Sequence, residues 1–166
     1  MKDADVVAAI KAAMKGEMDS VTVYEDAAKA SEGEVRGFFE ERAAQERSHF
    51  NYLLGYYRTR TVNLTPERSV EAELKGDGWR SAITSREFLA QVAASRHLTA
   101  AIASAIHLEA DSIRLYRDWS ARSENPELRE LLKTLVEWEE RHYADLLVIQ
   151  EELERHWFDI NQFEPF

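Results

Sequence analysis

Apolar residues recur along this chain in steps of three and four, the spacing that lines one face of an α-helix. One such seam runs through Ile10, Met14, Val21, Tyr24 and Ala28, and a second through Val35, Phe39, Leu53 and Tyr56. A third follows Ile102, Ile106, Ile113 and Tyr116, and a fourth follows Leu128, Leu132, Leu135, Leu146, Ile149 and Leu153. The pattern predicts four long helices, over about residues 5–30, 34–60, 98–122 and 126–157. Ser31 with Glu34, and Thr84 with Glu87, have the spacing of a capping box, and Asn125-Pro126 sets a capping side chain before a proline at the first helical position. Helical patterning fills residues 85–97 as well. A break near His97 to Thr99 is expected there, since an unbroken helix on to Arg122 would be about 55 Å long.

The stretch 61–84 is different. Pro66, Gly76 and Gly78 puncture it, and no periodicity persists, although Glu67–Leu74 has the makings of a short helix. Its length is enough to run back along a helix of about 40 Å, so the second and third long helices should lie parallel. The short breaks within each pair make the other neighbours antiparallel. The expectation is an all-α fold, a four-helix bundle with one long crossover between helices two and three, formed as one domain by all 166 residues. An aromatic tail at about 157–166, WFDINQFEPF, is expected to pack back on the bundle or on a neighbouring subunit.

Polar residues interrupt the seams at matched places. Glu17, Asp19, Ser20, Tyr24 and Asp26 recur as Glu109, Asp111, Ser112, Tyr116 and Asp118, each pair offset by 92 positions. Downstream, Glu46 and His49 recur as Glu139 and His142, offset by 93. Glu17, Glu46, His49, Glu109, Glu139 and His142 all fall on core-facing positions near the middle of their helices. Burying one unpartnered carboxylate costs several kcal/mol, and burying four together adds mutual repulsion. Two divalent cations would neutralise four carboxylates, with neutral imidazoles completing the set. Residues three apart on a helix point to one side, so each Glu-x-x-His offers an oxygen and a nitrogen to one metal. The six residues are therefore read as the ligands of a two-metal site inside the bundle. Glu137 and Glu140 lie off the seam and should be solvated.

Net charge is −10 and the acidic residues are spread along the chain, a surface that repels phosphate backbones and argues against a nucleic-acid partner. No apolar run approaches the ~18–20 residues needed to cross a bilayer, and the first residues lack the pattern of a signal peptide. A soluble cytoplasmic protein without a membrane partner is the expectation. There is no cysteine, which excludes disulfides, thiolate zinc sites, iron–sulfur clusters and a rubredoxin-type iron within the chain.

Other residues carry two readings each. Tyr24 and Tyr116 are either core aromatics with a partnered hydroxyl or groups with a redox or proton role. Asp19 and Asp111 are either acceptors for the histidine rings or part of a solvated flank. Arg42, one turn before Glu46, either neutralises excess carboxylate or reaches for the bundle end. His97, His107 and His156 have no counterpart in the repeat and are read as structural or exposed. The Ala-rich run LTAAIASAI permits close helix approach, in the core or at a dimer face.

At the six repeated residues the chain resembles the ferritin-like di-iron carboxylate proteins, and among them most closely the rubrerythrins, over about Val7 to Trp157. The resemblance implies two iron ions, bridged by Glu46 and Glu139, with Glu17 and Glu109 as terminal or bridging ligands and His49 and His142 capping one iron each. It places Tyr24 and Tyr116 beside the cluster as candidate catalytic residues. Zinc or manganese would serve as substitutes in an oxygen-rich site of this kind. It further implies a di-iron oxidoreductase that reduces hydrogen peroxide or dioxygen, with a homodimer as its assembly. A ferroxidase or iron-handling protein, or a non-catalytic metal-binding bundle, is the alternative. Rubrerythrins carry a cysteine-bearing rubredoxin domain that has no counterpart in this chain, so an external electron donor is expected. Ser112 stands where rubrerythrins carry an extra glutamate.

Overall fold

The computed structural model of the chain describes residues 3–59 and 79–161. Among them are six helices and no strand: α1 (Asp3–Lys29), α2 (Gly33–Thr59), α3 (Arg80–Ile83), α4 (Arg86–Ala93), α5 (Arg96–Arg122) and α6 (Pro126–Asn161). The four long helices, α1, α2, α5 and α6, are those of the hydrophobic pattern, and α6 runs a turn further than its seam implied. Together they make an all-α bundle.

Two capping assignments change. Ser31 does not open α2; its Oγ donates to the Ala27 carbonyl at 2.8 Å and so closes the end of α1. Gly33, with φ +54°, then turns the chain into α2, and glycine enters that left-handed region without steric cost. Thr84 donates its hydroxyl to the Arg80 carbonyl at 2.9 Å and ends α3, while the neighbouring Ser85 accepts from the Phe88 amide at 3.2 Å and caps α4. The break before α5 falls at Ala94-Ser95 rather than at His97–Thr99, because Ser95 accepts from the Leu98 amide and caps the helix. Asn125 caps α6 as expected, accepting from the Glu127 and Leu128 amides at 2.9 and 3.2 Å.

Cross-helix pairs fix the directions. Tyr24 meets Glu109 while Tyr116 meets Glu17, so α1 and α5 are antiparallel. Residues 30–32 join α1 to α2 as a tight reversal, which leaves α2 parallel to α5. The ring of Trp79 lies 5.7 Å from that of Phe38, near the start of α2. The chain that leaves α2 at Thr59 has therefore returned about 30 Å along the bundle by residue 79. α3 and α4 lie in the described part of this crossover; the short helix expected over Glu67–Leu74 falls outside the described residues.

The core has two apolar halves. One gathers Tyr24, Phe38, Phe39, Phe88, Ile102, Leu146 and Ile149. The other gathers Ile10, Leu53, Tyr116, Leu128, Leu132, Leu135 and Trp138. Glu46, His49, Glu139 and His142 lie along the helices between these two sets, in a polar layer. Trp157 and Phe158, at the start of the aromatic tail, pack ring edge to ring face at 5.2 Å and are 55% and 41% exposed; residues 162–166 lie outside the described residues.

Candidate metal centre

All six repeated residues meet in the polar layer. Glu17 and Glu109 come from the antiparallel pair α1 and α5, and the two Glu-x-x-His pairs come from α2 and α6. None is more than 1% exposed. His142 Nδ1 lies 2.7 Å from Glu46, 3.5 Å from Glu139 and 3.9 Å from Glu109. His49 Nδ1 lies 3.0 Å from Glu139, 3.4 Å from Glu17 and 3.5 Å from Glu46. Each Glu-x-x-His thus turns its histidine toward the glutamate of the opposite copy. The imidazole rings stack with centroids 5.3 Å apart and planes 16° from parallel.

Closeness here is not hydrogen bonding. Glu46 Oε1, Glu109 Oε2, both oxygens of Glu139 and both nitrogens of each histidine are buried without a hydrogen-bond partner. Buried polar atoms are nearly always satisfied, so this many orphans in one layer call for a group that accepts lone pairs. Ligand atoms of Glu46, His49, Glu139 and His142 all lie within 4.8 Å of one another, as a metal requires. Carboxylate oxygens with one imidazole nitrogen on each side suit iron, manganese or zinc.

The electrostatics agree. Burial, then the charge of Glu109, raises the Glu46 carboxyl well above its ordinary value. Burial, then Glu46 and Glu17, does the same to Glu139, and burial raises Glu109. For His49 burial opposes protonation, but the charges of Glu139 and Glu46 outweigh it and the ring is pushed up. His142 moves the other way, lowered by burial and then by the positive charge of Arg42. The layer is short of positive charge.

Each tyrosine reaches across to the other copy's upstream glutamate. Tyr24 donates to Glu109 Oε1 at 2.5 Å, and Tyr116 donates to Glu17 Oε1. Burial and these carboxylates raise both phenols well above their ordinary value, so both remain donors at neutral pH. Asp19 and Asp111 instead pair with Lys15 and Arg114 on the solvent side, the solvated-flank reading. Glu137, Glu140, His97 and His107 are exposed as expected.

A family model described as Rubrerythrin matches residues 9–149. The chain belongs to the rubrerythrin family. No curated protein and no solved structure matches it. In this rubrerythrin-family bundle the buried glutamate–histidine cluster and the family together indicate a two-metal site. Among the described residues no helix is long and apolar enough to cross a membrane.

Trp138 escaped the sequence reading. Its ring stacks on His49 with centroids 4.8 Å apart, and Tyr52 tilts against it at 5.6 Å. Asp145, the ion-pair partner of Arg42, escaped it too. The repeat held the signal: at an offset of 93, Trp138 matches Gln45 and Asp145 matches Tyr52, each a break in symmetry beside the repeated Glu-x-x-His.

Proposed function

We propose that this chain is a di-iron oxidoreductase that reduces hydrogen peroxide, or dioxygen, with electrons from an external donor. The observation that carries the reading is the buried layer of unpartnered carboxylate and imidazole atoms at the middle of the bundle. Glu17, Glu46, His49, Glu109, Glu139 and His142 would hold the two irons. Two ferrous ions held there would supply the two electrons that reduction of a peroxide requires.

The protein's own residues do the rest. Apolar halves above and below the layer exclude bulk water, which strengthens every charge interaction inside. Tyr24 and Tyr116 hold the upstream glutamates by charge-assisted hydrogen bonds and retain protons at neutral pH that can be given to a reduced oxygen atom. In this reading the protein is a cytoplasmic homodimer that receives electrons from a separate carrier.

Stopped-flow mixing of the anaerobically iron-loaded protein with hydrogen peroxide and, separately, with dioxygen tests the reading. Faster oxidation by peroxide, followed by repeated turnover when a reductant is supplied, supports it. Much faster oxidation by dioxygen with release of ferric iron, especially from a large hollow assembly rather than a dimer, would place the chain among iron-handling ferroxidases.

A further inference from the structure

The two copies of the repeat differ, among other places, at three matched positions within four residues of a candidate ligand. At the offset of 93 that carries Glu46 onto Glu139, Arg42 corresponds to Leu135, Gln45 to Trp138 and Tyr52 to Asp145. The fold sorts these residues by side. Arg42 on α2 donates to Gln45 at 2.9 Å and pairs with Asp145, one turn beyond His142 on α6. On the other side the Trp138 ring covers His49, Tyr52 leans on Trp138, and Leu135 is fully buried. One half of the layer is therefore bordered by a buried guanidinium and the other by aromatic and aliphatic groups.

Asp145 offsets that guanidinium only in part. The Arg42 side chain is 5% exposed and Asp145 is 29% exposed, so water screens the carboxylate much more than the cation. Arg42 Nε is also buried with no partner. A positive charge in a low-dielectric setting opposes a second cation arriving beside it.

We infer that the two metal positions are inequivalent: the half built on His49 takes a divalent cation first and tightly, and the half built on His142 takes its cation second and more weakly because Arg42 stands beside it. This rests on the two-metal reading of the site. It makes Arg42 a positioning residue, one that sets the loading order and leaves the His142 position the more exchangeable.

Zinc(II) titrated calorimetrically into the metal-free protein at neutral pH is the test, since zinc binding needs no redox turnover. Two steps of one ion each are expected, with affinities apart by on the order of tenfold or more. Arg42→Leu, which installs the residue of the matched position, should tighten the weaker step and draw the two together. Asp145→Asn leaves the guanidinium uncompensated and should widen the gap, so it decides the matter if Arg42→Leu does not fold. His142→Gln should remove the weaker step and leave the tighter one. Two equal steps in the wild-type protein, or a gap that neither Arg42→Leu nor Asp145→Asn moves, overturns the inference while leaving the two-metal reading intact. Failure to bind zinc at all overturns both.

Discussion

Tyr24 on the first helix donates its phenolic hydrogen to Glu109 on the third long helix at 2.5 Å, and both side chains are sealed from water. Tyr116 and Glu17 repeat the relationship with the helices exchanged. The two bonds tie α1 to α5 at the level of the buried polar layer and hold two of its carboxylates in place.

Tyr24→Phe removes one of these donors and leaves Glu109 buried with one partner fewer. Loss of a buried hydrogen bond to a charged group costs about 1–3 kcal/mol. Denaturant unfolding of the metal-free protein should show a loss of that size. An unchanged midpoint would mean that the hydroxyl does not support Glu109.

Glu46→Gln should separate stability from metal binding. The charged Glu46 is disfavoured by burial and by Glu109, so removing its charge should stabilise the metal-free protein, by about 1–3 kcal/mol. The same change should weaken metal binding sharply. Thermal unfolding with and without added metal measures both, and a variant less stable than wild type in the metal-free form would contradict the electrostatic account.

The pH dependence should reverse on metal loading. Glu46, Glu109, Glu139 and His49 all have pKa values raised in the folded state, so the stability they contribute is complete below their unfolded values and declines as pH rises through the folded ones. His142 is lowered and works in the opposite sense, one group against four. Metal-free protein should therefore melt at a lower temperature as pH rises from about 5 to 8. Metal-loaded protein should lose stability as pH falls over the same range, because protons compete for the ligands.

Much of this was legible in the order of residues. Glu17, Glu46, Glu109 and Glu139 stand where Leu or Ile would continue an apolar seam, and periodicity alone puts them inside the bundle. What periodicity does not carry is side-chain direction at the ends of helices. Ser31 and Glu34 have the right spacing for a cap, yet the chain turns at Gly33 and the Ser31 hydroxyl faces back to Ala27. Thr84 and Ser85 are adjacent hydroxyls, and which one caps α4 depends on a turn that no spacing rule resolves. Trp138 sits beside the seam residue Glu139, so its stacking on His49 emerges only once the helices are placed against each other.

That distinction is itself testable. Ser85→Ala should lower stability by about 1 kcal/mol through loss of the helix cap, whereas Thr84→Ala should have a much smaller effect. Equal losses, measured by denaturant unfolding, would restore Thr84 to the role its sequence position implied.

The central claim is most directly tested by counting metal. Metal-free protein reconstituted anaerobically with ferrous iron, desalted and analysed by elemental mass spectrometry should retain two irons per chain, and Glu46→Gln combined with Glu139→Gln should retain almost none. A wild-type protein that emerges without iron, or one whose iron content the double substitution leaves unchanged, would contradict a two-metal centre at this layer.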